Sequence, residues 1–546
     1  MPQSVLDPKT ERPIASQLNE LAGLEPSARP TIGFVSLGCP KNLVDSEVMM
    51  GLLHRAGGEL TPHAEDAEIL VVNTCSFIDS AKHESVNAIL EMVQHKQANG
   101  GKARRLIVAG CLVERYRDEI RANIPEVDAV VGTGELEAIL DAAGLSTPSQ
   151  SAPQAASPFN ILVSRAPSSV HQHSHPTEAG PQLAAEAERI TRSDSPNAKF
   201  RPEGDHRERQ GRFSRAAWHG ATAALPEYLY TEDTPRILST PRASAYIKIA
   251  EGCDHPCSFC IIPQLRGKFR SRRVESIVAE AERMIAQGVR EITLIGQDTT
   301  CYGEDLGLKD GLATLLDALA VLPGLKWLRF LYAYPNKITT RLLETMARHD
   351  IIAKYLDVPL QHASPAVLKR MKRGGTPDVF LRMIEKARAT VPGIVLRTSF
   401  IVGFPGETEE DFAQLEAFVK AAKIDWLGVF SYSDEEGAAA YELDAALKVP
   451  KRTIETRRRR LMKLQQKISK KSKAAWVGRD VEVLVEGESD ETELLWQGRT
   501  ALHAPEIDGK ILINDFGPHE TLVPGTFYRA EITESHDYDV VARILE

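Results

Sequence analysis

The chain is poor in cysteine and has no apolar run long enough to cross a membrane. Seven cysteines in 546 residues are odd in number and too few for a disulfide framework, so we expect thiols or metal ligands in a reducing compartment. The opening MPQSVLDPKTERPIASQ lacks a basic start followed by an apolar stretch, which argues against a targeting segment. No run approaches the roughly 18 apolar residues of a membrane span. We therefore predict a cytoplasmic protein with no membrane partner.

An excess of basic residues is also missing. Lys plus Arg number 66 and Asp plus Glu 75, for a net charge of -9, which excludes a general nucleic-acid coat. The hydrophobic fraction of 42% and the charged fraction of 26% are ordinary for globular proteins. The length favours three to four domains at about 150 residues each.

Residues 30–145 alternate short apolar runs with amphipathic stretches, the pattern of an α/β domain. The strand-like runs are TIGFVSLGC, AEILVVNTCSF, RRLIVAGC and VDAVVGTGE. Their continuous apolar character suits strands buried on both faces, so we predict a small parallel sheet. Residues 1–29 are interpreted as a flexible extension. Residues 146–240 are rich in Ser, Pro, His and Arg and are interpreted as a disordered insertion or linker.

Residues 241–474 form a second α/β series. Its six strand-like runs are AYIKIAEG, EITLIGQD, LKWLRFLYAYP, YLDVPLQ, VLRTSFIVGF and DWLGVFSYS. Six successive β-α units predict a partial (β/α)6 barrel with its active site at the carboxyl ends of the strands. Residues 475–546 contain alternating runs broken by Gly and Pro, which predict a small antiparallel β-barrel of about five strands.

Three cysteines follow the first strand of the second series. Cys253, Cys257 and Cys260 have the spacing C-x3-C-x2-C. Three thiolates on a 4Fe-4S cluster leave one iron open for a substrate or cofactor. The alternative, a structural zinc site, requires a fourth ligand. His255 lies too close to its neighbours to be convincing, and Cys301 belongs to a different loop, where we expect it to pack as a small residue.

The first domain offers a second set of three cysteines. Cys39, Cys75 and Cys111 each close a predicted strand, at separations of 36 and 36 residues. Because the carboxyl ends of adjacent parallel strands lie side by side, these three can meet at one edge of the sheet. They predict a second cluster, and the alternative is three buried structural thiols.

The cysteine loop resembles the signature of the radical S-adenosylmethionine enzymes, which carry an aromatic residue before the last cysteine, here Phe259. The resemblance implies that the open iron chelates S-adenosylmethionine, from which a radical that abstracts hydrogen is generated. It also implies that Gly296, Gln297 and Gly403, in segments that follow strands, contact the cofactor. Taken alone, these glycines could equally be turns.

Two three-cysteine sites followed by a small barrel resemble the methylthiotransferases over nearly the whole chain. The resemblance implies two 4Fe-4S clusters, S-adenosylmethionine and a TRAM-like barrel. The segments FIDSAKHESVNAI, GQDTTCYG, LYAYPNKI, YLDVPLQHASPAVLKRMKRG and YSDEEGAAAY are similar to the branch that modifies an aspartate β-carbon in the twelfth small-subunit ribosomal protein. That protein, and the ribosome, are the expected partners. The electron donor and the sulfur donor are not identified.

Other functions remain open at this point. They are the same chemistry on a tRNA adenosine, a non-catalytic iron-sulfur redox carrier, and a zinc-dependent nucleic-acid module. No catalytic side chain is assigned, although Tyr332, Tyr334, Gln361 and His362 follow predicted strands and are candidates to orient the target aspartate.

A basic segment separates the second series from the barrel. Residues 451–473 contain eleven Lys or Arg and the single acid Glu455, while Leu461, Leu464 and Ile468 form an apolar helical stripe. We predict a helix with one packed face. Its charged face is either a solvated surface or a contact for ribosomal RNA or another polyanion.

Overall fold

The structure, a computed structural model, describes residues 29–145, 226–489, 492 and 494–545. The predicted extension, apart from its last residue, lies outside the described residues, as does the predicted insertion as far as residue 225. Within the described part, no helix has the length and apolarity that a membrane span requires.

The first domain is built on five parallel strands in the order β2-β1-β3-β4-β5, which confirms the predicted parallel sheet. The strands are β1 Thr31–Ser36, β2 Glu59–Thr61, β3 Ile69–Thr74, β4 Arg105–Gly110 and β5 Ala129–Val131. The helices are α1 Pro40–Arg55, α2 Asp79–Val93, α3 Cys111–Asn123 and α4 Ile139–Ala143. All six residues of β3 are buried because helices cover both faces of the sheet. The three-residue edge strand β2 was not predicted, since it is too short to show periodicity.

The second domain contains the six predicted strands, all parallel to their paired neighbours. They form two sheets, in the orders β10-β9-β6 and β11-β12-β13. A parallel bridge between Leu328 and Ile352 connects the two sheets, so that they form one curved surface. The strands are β6 Ser244–Lys248, β9 Glu291–Ile295, β10 Trp327–Phe330, β11 Tyr355–Asp357, β12 Val395–Val402 and β13 Trp426–Ser431. A small antiparallel pair, β7 Ala250–Glu251 and β8 Arg270–Ser271, flanks the cysteine loop.

Helices separate these strands along the chain, as the partial-barrel prediction requires. They are α5 Ile262–Arg266, α6 Val274–Ala286, α7 Gly311–Leu319, α8 Thr340–Arg348, α9 Pro365–Arg370, α10 Pro377–Thr390, α11 Glu409–Ala422 and α12 Lys451–Ala474. The core between the strands and helices is apolar and includes Leu294, Leu316 and Phe400, each fully buried. The strand ends therefore sit on a rigid, close-packed base.

The carboxyl-terminal domain is a closed five-stranded barrel in the order β14-β15-β16-β18-β17. Its strands are β14 Asp480–Glu488, β15 Trp496–Arg499, β16 Ile511–Asp515, β17 Phe527–Ser535 and β18 Val540–Ile544. Four of the five strand pairs are antiparallel as predicted, and β16 pairs with β18 in parallel. The parallel pair arises because β17 lies between β14 and β18, so closure joins β18 to β16.

Part of the predicted disordered segment is packed, which corrects its boundary. Residues 226–240 run between the first two domains, and Tyr230 is 2% exposed. Arg236 forms buried ion pairs with Glu47 of α1 at 2.5 Å and with Glu280 of α6 at 2.8 Å. The prediction failed here because the stretch is polar and aperiodic, and its partners are supplied by distant parts of the chain.

Candidate functional site

Three strands that are adjacent in the first sheet bring Cys39, Cys75 and Cys111 to the same edge. Cys39 precedes α1, Cys75 follows β3 and Cys111 begins α3. The three thiols lie within electrostatic range of one another. Gly38 has φ of 91°, and a Cβ on it would lie 2.7 Å from the Cβ of Cys75. Only glycine lets the β1 turn come this close to its neighbour.

Two thiols of the first trio, those of Cys75 and Cys111, are buried, and Cys39 is partly exposed. Burial raises the pKa of Cys75 far above its ordinary value and that of Cys111 to about 11. The guanidinium of Arg266 donates to Cys111 Sγ at 3.5 Å and opposes this shift. The two thiols therefore stay protonated at neutral pH until a metal binds the sulfur, because metal coordination deprotonates a thiol outright.

The second trio lies on the loop between β7 and α5. The Cys253 amide donates to Gly267 O and the Cys260 amide to Cys257 O, both at 3.2 Å. Burial raises the pKa of Cys253 to about 11 and of Cys260 to about 12. Arg373 donates to Cys257 Sγ at 3.5 Å. This trio therefore repeats the arrangement of the first, with two thiols of raised pKa and an arginine on a sulfur.

The spacing of the sulfur atoms bears on the zinc alternative. One zinc ion holds its ligands at about 2.0–2.3 Å, so any two of them lie within about 4.6 Å of each other. Among the described residues, the only three His, Cys, Asp or Glu ligand atoms that all lie within 4.8 Å of one another are those of His255, Asp298 and Cys301. In neither cysteine trio do all three sulfur atoms lie within 4.8 Å of one another. A cluster whose ligands sit on three different irons fits the wider spacing.

A buried charged network connects the two trios across the domain interface. Lys248 binds Asp45 at 2.5 Å and also Glu251, which lies two residues before Cys253. Arg266 binds Asp45 at 2.5 Å and Glu251 at 3.3 Å. Because buried charges are stable only when paired, this network fixes how the two domains meet.

Apolar packing reinforces the same contact. Cys111 packs in one cluster with Ile261, which directly follows Cys260, and with Leu265 and Ala438. The two trios therefore face the same narrow region between the domains.

Gln297 and Gly296 follow β9 and lie beside this network. Gln297 Nε2 donates to Glu251 at 2.6 Å, while its Oε1 is buried and has no hydrogen-bond partner. A Cβ on Gly296 would have no atom within 3.5 Å beyond its chain neighbours. Lys41, two residues after Cys39, donates to the Gly296 carbonyl at 3.4 Å. The unsatisfied oxygen fits a polar cofactor.

Phe259 and Gly403 meet in a different part of the site. Phe259 is partly buried against a cluster that contains Phe404, the neighbour of Gly403. Gly403 has φ of 80°, and a Cβ on it would lie 2.3 Å from the Ile454 side chain of α12. Its amide donates to Glu407 at 2.5 Å. Packing alone therefore accounts for glycine at this position.

The candidate orienting residues have unusual surroundings. Tyr332 and Gln361 have φ of 64° and 71°, backbone strain of the kind that clusters at functional sites. Lys41 Nζ lies 3.4 Å from the centre of the Tyr332 ring. The Tyr334 ring is stacked on the His255 ring, with 4.0 Å between the ring centres. The guanidinium of Arg373 lies 4.5 Å from the centre of the Tyr334 ring.

The fourth candidate, His362, is less suited to a catalytic role. It is fully buried, and burial lowers its pKa to about 3. Its Nδ1 accepts from the Ser364 amide at 2.9 Å. A neutral histidine held in this way is suited to fixing the loop after β11.

The structure adds a polar trio that sequence reasoning had set aside. His255 Nε2 lies 2.6 Å from Asp298 Oδ2, and Cys301 Sγ donates to the same oxygen at 3.0 Å. A cavity of ≈ 310 Å³ opens beside Cys253 and His255. The sequence did contain a signal for this contact. Asp298 and Cys301 lie in the loop that follows β9, and β9 pairs with β6, the strand that leads into the cysteine loop.

Comparison with known proteins gives three family matches along the chain. The Uncharacterized protein family UPF0004 matches residues 31–132, the Radical SAM superfamily residues 247–419 and the TRAM domain residues 477–545. These correspond in order to the parallel-sheet domain, the curved α/β domain and the closed barrel.

Full-length relatives are named as well. The chain is 65% identical over 522 residues to "Ribosomal protein uS12 methylthiotransferase RimO" of Koribacter versatilis, covering 95% of this chain and 98% of that one. It is 53% identical to the protein of the same name from Solibacter usitatus, covering 94% of each. A solved radical S-adenosylmethionine methyltransferase, TsrM from Kitasatospora setae, matches with a TM-score of 0.45 at 15% identity, covering 73% of both chains.

Proposed function

The chain belongs to the RimO family of ribosomal protein uS12 methylthiotransferases, and from that premise we propose that it places a methylthio group on the β-carbon of an aspartate in uS12. The observation that carries the proposal is the contact between the two cysteine trios across one domain interface, where Cys111 packs with Ile261, the neighbour of Cys260. One trio alone would suffice for radical chemistry, and the second is what a sulfur-transferring enzyme needs in addition.

The six cysteines are the proposed ligands of two 4Fe-4S clusters. Cys39, Cys75 and Cys111 would hold one cluster, and Cys253, Cys257 and Cys260 the other, each leaving one iron without a protein ligand. When bound, the clusters and S-adenosylmethionine supply the radical and the sulfur chemistry that an inert C–H bond requires. The chain itself supplies partly buried surroundings and one arginine on a sulfur of each trio.

Side chains around Gln297 are proposed to position the cofactor and the target. Support comes from the buried Gln297 Oε1, which has no hydrogen-bond partner. Phe259 would form part of an apolar wall together with Phe404. For Gly403 we propose only a role in shaping that wall, because packing against α12 already requires glycine there.

Iron content tests the ligand assignment. We expect about eight irons per wild-type chain and about four after alanine replaces any one of Cys39, Cys75 or Cys111, because a cluster missing one of three ligands is lost. Cys301→Ala is the matched control, since this thiol donates to Asp298 and is not assigned to a cluster. Unchanged iron in the three variants would refute the second cluster.

The mass of uS12 tests the substrate. Intact uS12 from cells that lack the gene should be lighter by one methylthio group than uS12 from wild-type cells. An unchanged mass, together with loss of a methylthio group from tRNA, would favour the tRNA alternative. A non-catalytic redox carrier would leave both unchanged and would not cleave S-adenosylmethionine.

We also propose the domain limits 30–145, 226–474 and 475–546, and a cytoplasmic location. The limits follow the three packed units and attach residues 226–240 to the first two domains through Arg236. The cytoplasmic location is supported by the six proposed ligands, because their thiols must stay unoxidised to bind iron and the cytoplasm is a reducing compartment.

A further inference from the structure

Helix α12 has a cationic face that no other part of the described structure covers. Its inner face packs on the core and includes Ile454, Leu461 and Gln465, all buried. The opposite face carries a row of exposed basic residues, which we call the basic stripe. The basic stripe consists of Arg452, Arg459, Lys463, Lys467 and Lys470. At 3.6 residues per turn these positions fall within about 80° of the helix circumference and span about 27 Å.

The basic residues on the inner face of α12 make contacts within the folded chain. Arg457 is buried and binds Glu407 at 3.0 Å. Lys473 lies 3.5 Å from the ring centre of Trp426 and 4.3 Å from that of Trp476. These two basic residues therefore have partners within the described part of the fold, whereas most residues of the basic stripe do not.

The basic stripe is poorly neutralised. Across residues 226–489 and the other described ranges, no carboxylate lies within ion-pair distance of Arg452, Lys463 or Lys467. Arg459 reaches Glu455 at 3.5 Å and Lys470 reaches Asp537 at 3.6 Å, with both basic side chains about 70% exposed. Ion pairs that are this exposed contribute little free energy, so they hold the two basic side chains only weakly. The stripe is therefore a strong local positive field on a chain whose net charge is -9.

The position of the stripe relates it to the proposed site. At its amino end, α12 packs against the turn after β12, where Ile454 occupies the space beside Gly403. At its carboxyl end, Gln466 donates to Asp537 of the barrel at 2.6 Å. The stripe therefore runs from the active-site edge of the second domain to the barrel.

We propose that the basic stripe docks on the phosphate backbone of small-subunit RNA and so brings the site to uS12 in the assembled particle. This inference rests on the proposed function, because uS12 is the reason to expect RNA beside the target. A row of five exposed cations, of which three have no carboxylate partner among the described residues, matches the closely spaced charges of a nucleic-acid backbone.

Charge reversal on the stripe tests the proposal. The variant Arg452→Glu, Lys463→Glu, Lys467→Glu changes only exposed residues outside the site. Its matched control reverses three exposed arginines elsewhere, Arg121, Arg242 and Arg382. Both holoenzymes are first checked for wild-type iron content and circular dichroism, so that any loss of binding is not a loss of folding.

Binding is measured on purified small subunits and on naked small-subunit RNA at several salt concentrations. For five phosphate contacts the wild type should show a log–log salt slope of about -4, and for two remaining contacts the variant about -2. At low salt the variant should bind at least tenfold more weakly to both targets, while the control behaves as wild type. Equal binding of variant and wild type would overturn the proposal, as would a loss seen on subunits but not on naked RNA.

Turnover separates this proposal from the proposed function. The variant should raise the KM for small subunits at unchanged kcat and should modify free uS12 as the wild type does. An equal loss on free uS12 would overturn RNA docking, because no RNA is present there. If the wild type modifies neither form of uS12, the proposed function fails, and the binding series still decides whether the stripe contacts RNA.

Discussion

Replacement of Glu291 by Gln should weaken the attachment of the barrel to the second domain. Glu291 begins β9 and is fully buried. Its carboxylate accepts from Arg499 of the barrel at 2.8 Å, from Arg329 of β10 at 3.1 Å and from Ser244 at 2.8 Å. The variant would leave the buried Arg329 without its carboxylate partner and Arg499 with only Glu486, at 2.6 Å. An uncompensated buried charge of this kind costs about 3–5 kcal/mol.

The pKa of Glu291 gives a second measure of the same effect. Burial acts to raise this pKa, but Arg499 and then Arg329 outweigh burial and lower it from 4.5 to about 2. A depressed carboxyl pKa contributes stability that is fully present above the unfolded value and is lost as the pH falls towards 2. The shift corresponds to about 3 kcal/mol, which agrees with the cost of the substitution.

Native-state hydrogen exchange measures this prediction, because a chain of several domains need not unfold in two states. Opening free energies of β9 and β15 amides in the anaerobic holoenzyme should fall by about 3–5 kcal/mol at pH 7. Glu531→Gln is the control, since it breaks an exposed pair with Arg543 and should cost less than about 1 kcal/mol. Similar results for the two variants would refute the reasoning, and iron content should stay at the wild-type value in both.

Three further predictions concern the domain interface and the site. Arg236→Met should lower the free energy of unfolding by about 3–5 kcal/mol, because among the described residues it leaves the buried Glu47 without a cation, while Glu280 keeps its pair with Arg272. Proteolysis of residues 226–240 should then accelerate, and unchanged proteolysis would contradict the interpretation. Gly403→Ala should cost at least about 1 kcal/mol, since φ is positive and a side chain of α12 fills the Cβ position; a rise in the thermal midpoint would show that the turn is not strained. Arg266→Met should lower the reduction potential of the first-domain cluster more than Arg266→Lys does, since the guanidinium donates to a ligand sulfur and lysine keeps the positive charge. Redox titration followed by electron paramagnetic resonance would measure the two potentials. Equal potentials would exclude the effect.

Much of the fold could be predicted because its strands are long apolar runs. The six parallel strands of the second domain, including β9 and β12, match the predicted segments to within one residue at each end that extends beyond them. The edge strand β2 was missed since three residues carry no periodic signal. The parallel pairing of β16 with β18 was also missed, because closure of a barrel depends on which strands lie between them.

The candidate site was predictable to the extent that it follows strand ends. The positions of Cys39, Cys75 and Cys111 after β1, β3 and β4 were sufficient to predict their approach, because parallel strands bring their carboxyl ends to one edge. Lys41 and Asp298 were not assigned roles. Their importance depends on partners more than 40 residues away, Gly296 for the lysine and His255 for the aspartate.

The sequence by itself determined the order of the domains, the six cysteines and the periodic stripes of the helices, because these features depend on near neighbours in the chain. Only the tertiary structure decided how the two trios face each other. The ion pairs that join them connect Asp45 with Lys248 and Arg266, more than 200 residues apart. Such pairs become favourable only after folding has removed water from both partners. The same reason explains why residues 226–240 are packed despite a polar composition.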